Sequence, residues 1–218
     1  MNQSAMASWR RSCNWRSLAS FRHAVWVFAW IGQHEKALAE IEHAVVAEPS
    51  SPHLQLLLGR ALIDHGDYQG AIDHLSDLIE TYPDHAAPAR RYRAEALISN
   101  GQPADAILDL SLLPQERVED LAFRLPLLAL AHAKNGDAEK AQEVYDVLIA
   151  MRKTEYVPAG NLVSIALAIG RRGHALEHFE TALKRREPAL PLLRFSPWLT
   201  SIRLSDPFKS LLNEMDAG

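Results

Sequence analysis

Apolar residues recur at helical spacing along most of the chain, and the stretch from Gly59 to Pro83 shows the pattern best. Ala71, Ile72, Leu75, Leu78 and Ile79 share one face of a helix, since residues three and four apart lie about one turn from each other. An apolar segment before them ends at Gly66-Asp67, and Pro83 closes the one they form. The stretch therefore predicts a helix, a tight turn and a second helix. Glycine permits the left-handed backbone that ends a helix, and proline cannot continue a helix interior.

The same punctuation repeats. Ala37, Ala71, Ala106, Ala141 and Ala175 are spaced by 34, 35, 35 and 34 residues, and each has a glycine five positions earlier: Gly32, Gly66, Gly101, Gly136 and Gly170. Proline closes three of the units, at Pro49, Pro83 and Pro188. A fixed period of this length predicts a stacked solenoid of helix pairs. The alanine falls where two helices cross closely, and the facing positions Val25, Gly59, Ala94, Ala129 and Val163 are mostly small, as a close crossing requires. The register predicts helices at about 20–31 and 35–48, 53–65 and 68–82, 86–100 and 103–113, 120–135 and 138–152, and 158–170 and 173–187. Pro114 shortens the third unit, and Pro126 either delays or kinks the first helix of the fourth.

These register residues resemble the tetratricopeptide repeat, whose unit is an antiparallel helix pair of this length. The resemblance covers roughly residues 20–188. It implies an all-α, right-handed superhelix of about five pairs, with residues 1–19 as a leader and 189–218 as a C-terminal cap. The tail is similar to the C-terminal ends of repeat domains attached to bacterial serine/threonine kinases, adenylate cyclases and winged-helix regulators. The matching residues are Ala182, Arg186, Pro188, Leu190, Pro197, Ile202-Arg203, Asp206-Pro207, Phe208, Leu211-Leu212 and Met215. One residue usually found between the Asp-Pro pair and the phenylalanine is missing. Phe208, Leu211, Leu212 and Met215 share a helical face suited to covering the last pair. About nineteen residues precede the first repeat, too few for an effector domain of those relatives.

Composition narrows the function. Of 218 residues, 48% are hydrophobic, and the net charge is −4. That is enough for a core, and it gives no general drive toward nucleic acid or an anionic membrane. Cys13 is the one cysteine, so no intrachain disulfide forms. A cytoplasmic location is expected, with export the alternative if residues 1–32 act as a signal. A basic start followed by the apolar run from His23 to Ile31 has that form, but the run also stands in register as a first helix.

No nucleotide-binding loop, nucleophile elbow or paired-cysteine motif is present. Cys13 has no suggested histidine partner. Gly170-Arg-Arg-Gly173 could cradle an anion, but it occupies the repeat's turn. His174 and His178 share a helix face and could hold zinc, yet the sequence supplies no third ligand. Asp64 and Asp67 flank a turn and read as solvated. No cofactor, metal or catalytic residue is expected.

The remaining candidate is a surface. In the repeat family the first helix of each pair lines the concave side. The corresponding positions here are Arg22, Trp26 and Trp30; Leu56, Arg60 and Asp64; Arg91, Glu95 and Ser99; Pro126, Leu130 and Lys134; and Gly160, Ser164 and Ala168. Tryptophan and arginine are enriched at binding hot spots. Arg22, Trp26, Trp30, Arg60, Arg91, Glu95 and Lys134 are therefore the candidate partner-binding residues. The expected function is a non-catalytic protein-interaction module that binds a peptide or partner domain. The alternative is a detached regulatory domain whose effector lies on another chain. The lysine-asparagine clamp that some relatives use for a peptide carboxylate is not found at matching positions.

Overall fold

The structure, a computed structural model, describes residues 32–114, 118–187, 208–210 and 213. All regular structure among them is helical. The order is α1 (His34–Ala47), α2 (Pro52–His65), α3 (Tyr68–Thr81), a 3-10 turn (Pro83–His85), α4 (Ala86–Ser99), α5 (Pro103–Ser111), α6 (Val118–Lys134), α7 (Ala138–Met151), α8 (Ala159–Ala168) and α9 (Arg172–Lys184). Among the described residues this is four complete helix pairs, α2–α3 to α8–α9, preceded by α1, which stands where the register expects a second helix. The expected leader at 1–19 and first helix at 20–31 lie outside the described residues, as does most of the tail.

The turns are made as the punctuation demands. Gly32, Gly66, Gly101, Gly136 and Gly170 all have φ between 72° and 95°. Around Gly66 the Asp67 N–H donates to Leu62 O and the Gly66 N–H to Ile63 O, both at 3.0 Å. That pair of bonds is the Schellman closure, which satisfies carbonyls left open at a helix end. It recurs at Gly101, Gly136 and Gly170, through Gln102 to Leu97, Asp137 to His132 and Arg171 to Ala166. The Gly170 segment is therefore a turn. The end of α9 closes the same way without glycine: Arg186 takes φ 49°, and the Glu187 N–H donates to Ala182 O.

The alanine marks all sit in the core, with at most 1% of their surface exposed. Their facing residues Gly59, Ala94, Ala129 and Val163 are buried too. The core is strung out in segments: Ala37, Ile41, Leu54 and Leu57 join α1 to α2; Leu75, Leu78 and Ala89 join α2, α3 and α4; Leu97, Leu110 and Leu130 join α4, α5 and α6. The last and largest holds Tyr145, Leu162, Phe179 and Phe208. Each segment is closed by the next unit, as a one-dimensional stack requires.

Some boundaries differ from the expected ones. α5 stops at Ser111 rather than 113, in keeping with Pro114 close behind it. α9 stops at Lys184 rather than 187, because the Arg186 closure ends it. α6 starts at Val118 and runs through a buried Pro126, so the proline does not delay the helix.

Candidate functional site

Each helix packs on the next. In addition α2 packs on α4, α4 on α6 and α6 on α8. The first helices of successive pairs thus form one layer, and the repeat register places their fifteen-, eleven- and seven-before positions along it.

Where this layer crosses from α2 to α4, it carries a charge cluster. Arg60 donates from Nε and Nη2 to the two carboxylate oxygens of Asp64, at 3.1 and 2.6 Å, and from Nη1 to Glu95 Oε2 at 2.9 Å. Burial disfavours the Arg60 charge, but Glu95 and Asp64 outweigh this and hold its pKa above the ordinary value. Such a fork is the arrangement in which arginine binds carboxylates best. The reading of Asp64 as solvated is therefore overturned: its side chain is 14% exposed and is spent on Arg60. Asp67 is exposed and caps α3 by accepting from the Gly70 N–H at 2.9 Å. His34 at the start of α1 feels the same cluster. Burial holds its pKa low, and Asp64 partly opposes this.

Aromatic rings continue the layer. The Arg60 guanidinium lies 5.8 Å from the Tyr92 ring centre; that of Arg91 lies 4.7 Å from Tyr92 and 5.0 Å from Phe123 on α6. All three are within cation–π range. Phe123 remains 56% exposed.

Of the candidate binding residues, the structure brings Arg60, Arg91 and Glu95 together around Tyr92. Lys134 is exposed at the end of α6, and no described residue pairs with it through a side-chain hydrogen bond or ion pair. Arg22, Trp26 and Trp30 lie outside the described residues. Toward the C-terminus the layer is closed: Pro126, Leu130, Gly160 and Ser164, four of the expected lining positions, are buried. One cause is visible at Gly160. The Glu187 carboxylate, 4% exposed, accepts from the Ala159 N–H at 2.9 Å and the Gly160 N–H at 3.1 Å. It thereby caps the positive end of the α8 dipole.

Tyr92 and Phe123 were missed by the register reading because neither falls at a lining position. An aromatic next to Arg91 and another near the start of the following unit's first helix were the available signals. The histidine pair is drawn into the fold itself. His178 Nε2 lies 2.7 Å from Tyr145 Oη, and His178 Nδ1 lies 3.3 Å from Arg152 Nη1. The side chain is thus buried in a polar knot between α7 and α9. Among the described residues no group of three or more metal-ligating side chains exists, and no helix is long and apolar enough to cross a membrane.

Comparison with known proteins agrees with this architecture. The tetratricopeptide repeat pattern matches residues 31–86 and 56–115. A thermophilic TPR protein of Thermus thermophilus is 22% identical, with a TM-score of 0.61 over 82% of this chain and 96% of its own. A tetratricopeptide repeat protein of Parabacteroides merdae is 14% identical, with a TM-score of 0.63 over 99% of this chain and 84% of its own. MamA of Desulfovibrio magneticus is 22% identical, with a TM-score of 0.52 over 77% of this chain and 95% of its own. No curated protein matches the sequence. The repeat pattern is thus matched in sequence over residues 31–115, and the all-helical superhelix is shared with solved tetratricopeptide repeat structures.

Proposed function

We propose that the chain is a non-catalytic interaction module that binds a peptide segment or partner domain on the layer formed by its first helices. We take that layer as the inner side of the stack, a reading supported by its helices packing on one another while α3, α5, α7 and α9 pack chiefly on first helices. The observation that carries the reading is the row Arg60, Tyr92, Arg91 and Phe123 across three successive first helices. Arginine and aromatic side chains are the residues from which binding hot spots are built. The closed lining at Leu130, Gly160 and Ser164 favours contact in the N-terminal half, where Arg22, Trp26 and Trp30 stand in the sequence; Lys134 would mark the far rim. Cys13 as the one cysteine fits a cytoplasmic protein, and residues 20–188 as a repeat block fit a single binding unit. The second reading, a detached regulatory domain with its effector on another chain, is favoured by the tail: Ala182 and Phe208, both in the matching pattern, are buried.

The test is capture of partners from the native cell on the full chain, identified by mass spectrometry, followed by binding to the purified partner. Trp26→Ala with Trp30→Ala is expected to weaken binding by about thirtyfold or more, equivalent to about 2 kcal/mol, with helical content unchanged. Unchanged affinity together with lower stability would make those tryptophans core residues and remove the groove reading.

A further inference from the structure

The row of cations and rings is not uniform, and the difference selects a ligand. Each guanidinium nitrogen of Arg60 is engaged: two are on Asp64 and the third is on Glu95. This cluster carries one positive and two negative charges. Arg91 makes no ion pair with another described residue. Its guanidinium rests within cation–π range of Tyr92 on its own helix and of Phe123 on α6. A guanidinium held against ring faces keeps its N–H donors in the plane, aimed sideways, in the fork that fits a carboxylate. Holding the fork in advance lowers the ordering cost that a free arginine would incur on binding. Beside it, Phe123 offers an exposed apolar face.

Resting on the groove reading above, we propose that Arg91 and Phe123 form a receptor for one acidic side chain and a neighbouring large apolar side chain of a partner peptide. The carboxylate takes the Arg91 fork, and the apolar group lies on Phe123. Charge complementarity restricts the ligand further. Glu95 lies one helical turn from Arg91, and with Asp64 it outnumbers Arg60. A second acid on that side would meet repulsion, so the site takes an isolated acid rather than an acidic run. The same two carboxylates disfavour a polyphosphate backbone, which would need several open cations.

The probes are acetylated, amidated octapeptides of glycine and serine carrying one Glu and one Leu or Phe at varied separation, each paired with its Gln counterpart. Binding to the full chain is read by fluorescence anisotropy. At least one Glu peptide should bind about tenfold tighter than its Gln twin, a charge coupling of ordinary size. Arg91→Ala should abolish that preference, and Arg91→Lys should restore only part of it, because it returns the charge without the fork. Phe123→Ala should weaken Glu and Gln peptides alike. Thermal melts establish that each variant is folded, and Arg91→Lys decides the matter if Arg91→Ala is not. A Glu preference that survives Arg91→Ala overturns the assignment, as does equal binding of Glu and Gln peptides or no binding of any. If a natural partner binds in the groove with an affinity indifferent to Arg91→Ala, this inference fails while the groove reading stands.

Discussion

His178 shows how one side chain sets the pH response of the fold. It is 8% exposed, and burial, then Arg152, then His174 push its pKa down to about 4. Its folded pKa lies below the unfolded value of about 6.5, so the unfolded chain binds the extra proton first. Stability is therefore complete above pH 6.5, falls as the pH drops toward 4, and levels off below. Burial lowers His34 as well, which adds in the same direction. The His178 contribution is on the order of 3 kcal/mol at most. Melting temperatures between pH 7 and 4.5 should fall in the wild type and fall less steeply in His178→Gln, whatever the variant's baseline. Equal slopes would place the acid sensitivity elsewhere. At this scale the sequence was least legible. The lining positions came from a periodic register, and a register says which face a residue occupies, not which partner it finds there. Asp64 and Arg60 four residues apart on one helix were a readable pair. The Arg60 bond to Glu95, and the Phe123 ring beside Arg91, depend on how two separate helices lie against each other, which the period does not encode.

Between helices, the close crossing in the second pair is built around missing atoms. A Cβ on Gly59 would lie 2.7 Å from Leu75 Cγ, and closer still to Cδ2. Leu75 has no exposed surface and so has little room to retreat. Replacing a helical glycine by alanine ordinarily gains up to about 1 kcal/mol. Here overpacking should reverse the sign, and Gly59→Ala is expected to cost about 1–3 kcal/mol, as is Ala71→Leu on the facing helix. Thermal and urea unfolding measure both; a variant that melts with the wild type would undo the register. The helices themselves were legible to within a few residues, because each turn needs a left-handed residue and each crossing a small one. Both demands fall on residue types that are visible in sequence. The clearest miss occurs where another residue took the role: Arg186 in place of glycine ends α9 early.

Along the whole molecule, each segment of core is shared only with the adjoining units, so damage at one end should remain there. Phe208 tests this. It is 3% exposed, its ring meets Phe179 edge to face with centres 6.0 Å apart, and it joins the core segment of α8 and α9. Phe179 itself is fully buried. Removing the phenyl group should cost about 3–5 kcal/mol locally through lost transfer energy and a cavity. In a compact domain that loss would lower protection everywhere. In a stack of nearest-neighbour units it should appear as local opening. Hydrogen exchange of Phe208→Ala is expected to speed amide exchange in α8 and α9 while leaving α2 and α3 close to wild type. Truncation after Glu187 should give the same gradient, more strongly, with aggregation through the uncovered face. Uniform loss of protection would mean that the pairs fold as one cooperative block. Unchanged protection of α8 and α9 would mean that Phe208 does not cap the stack, and the role assigned to the tail would have to be abandoned.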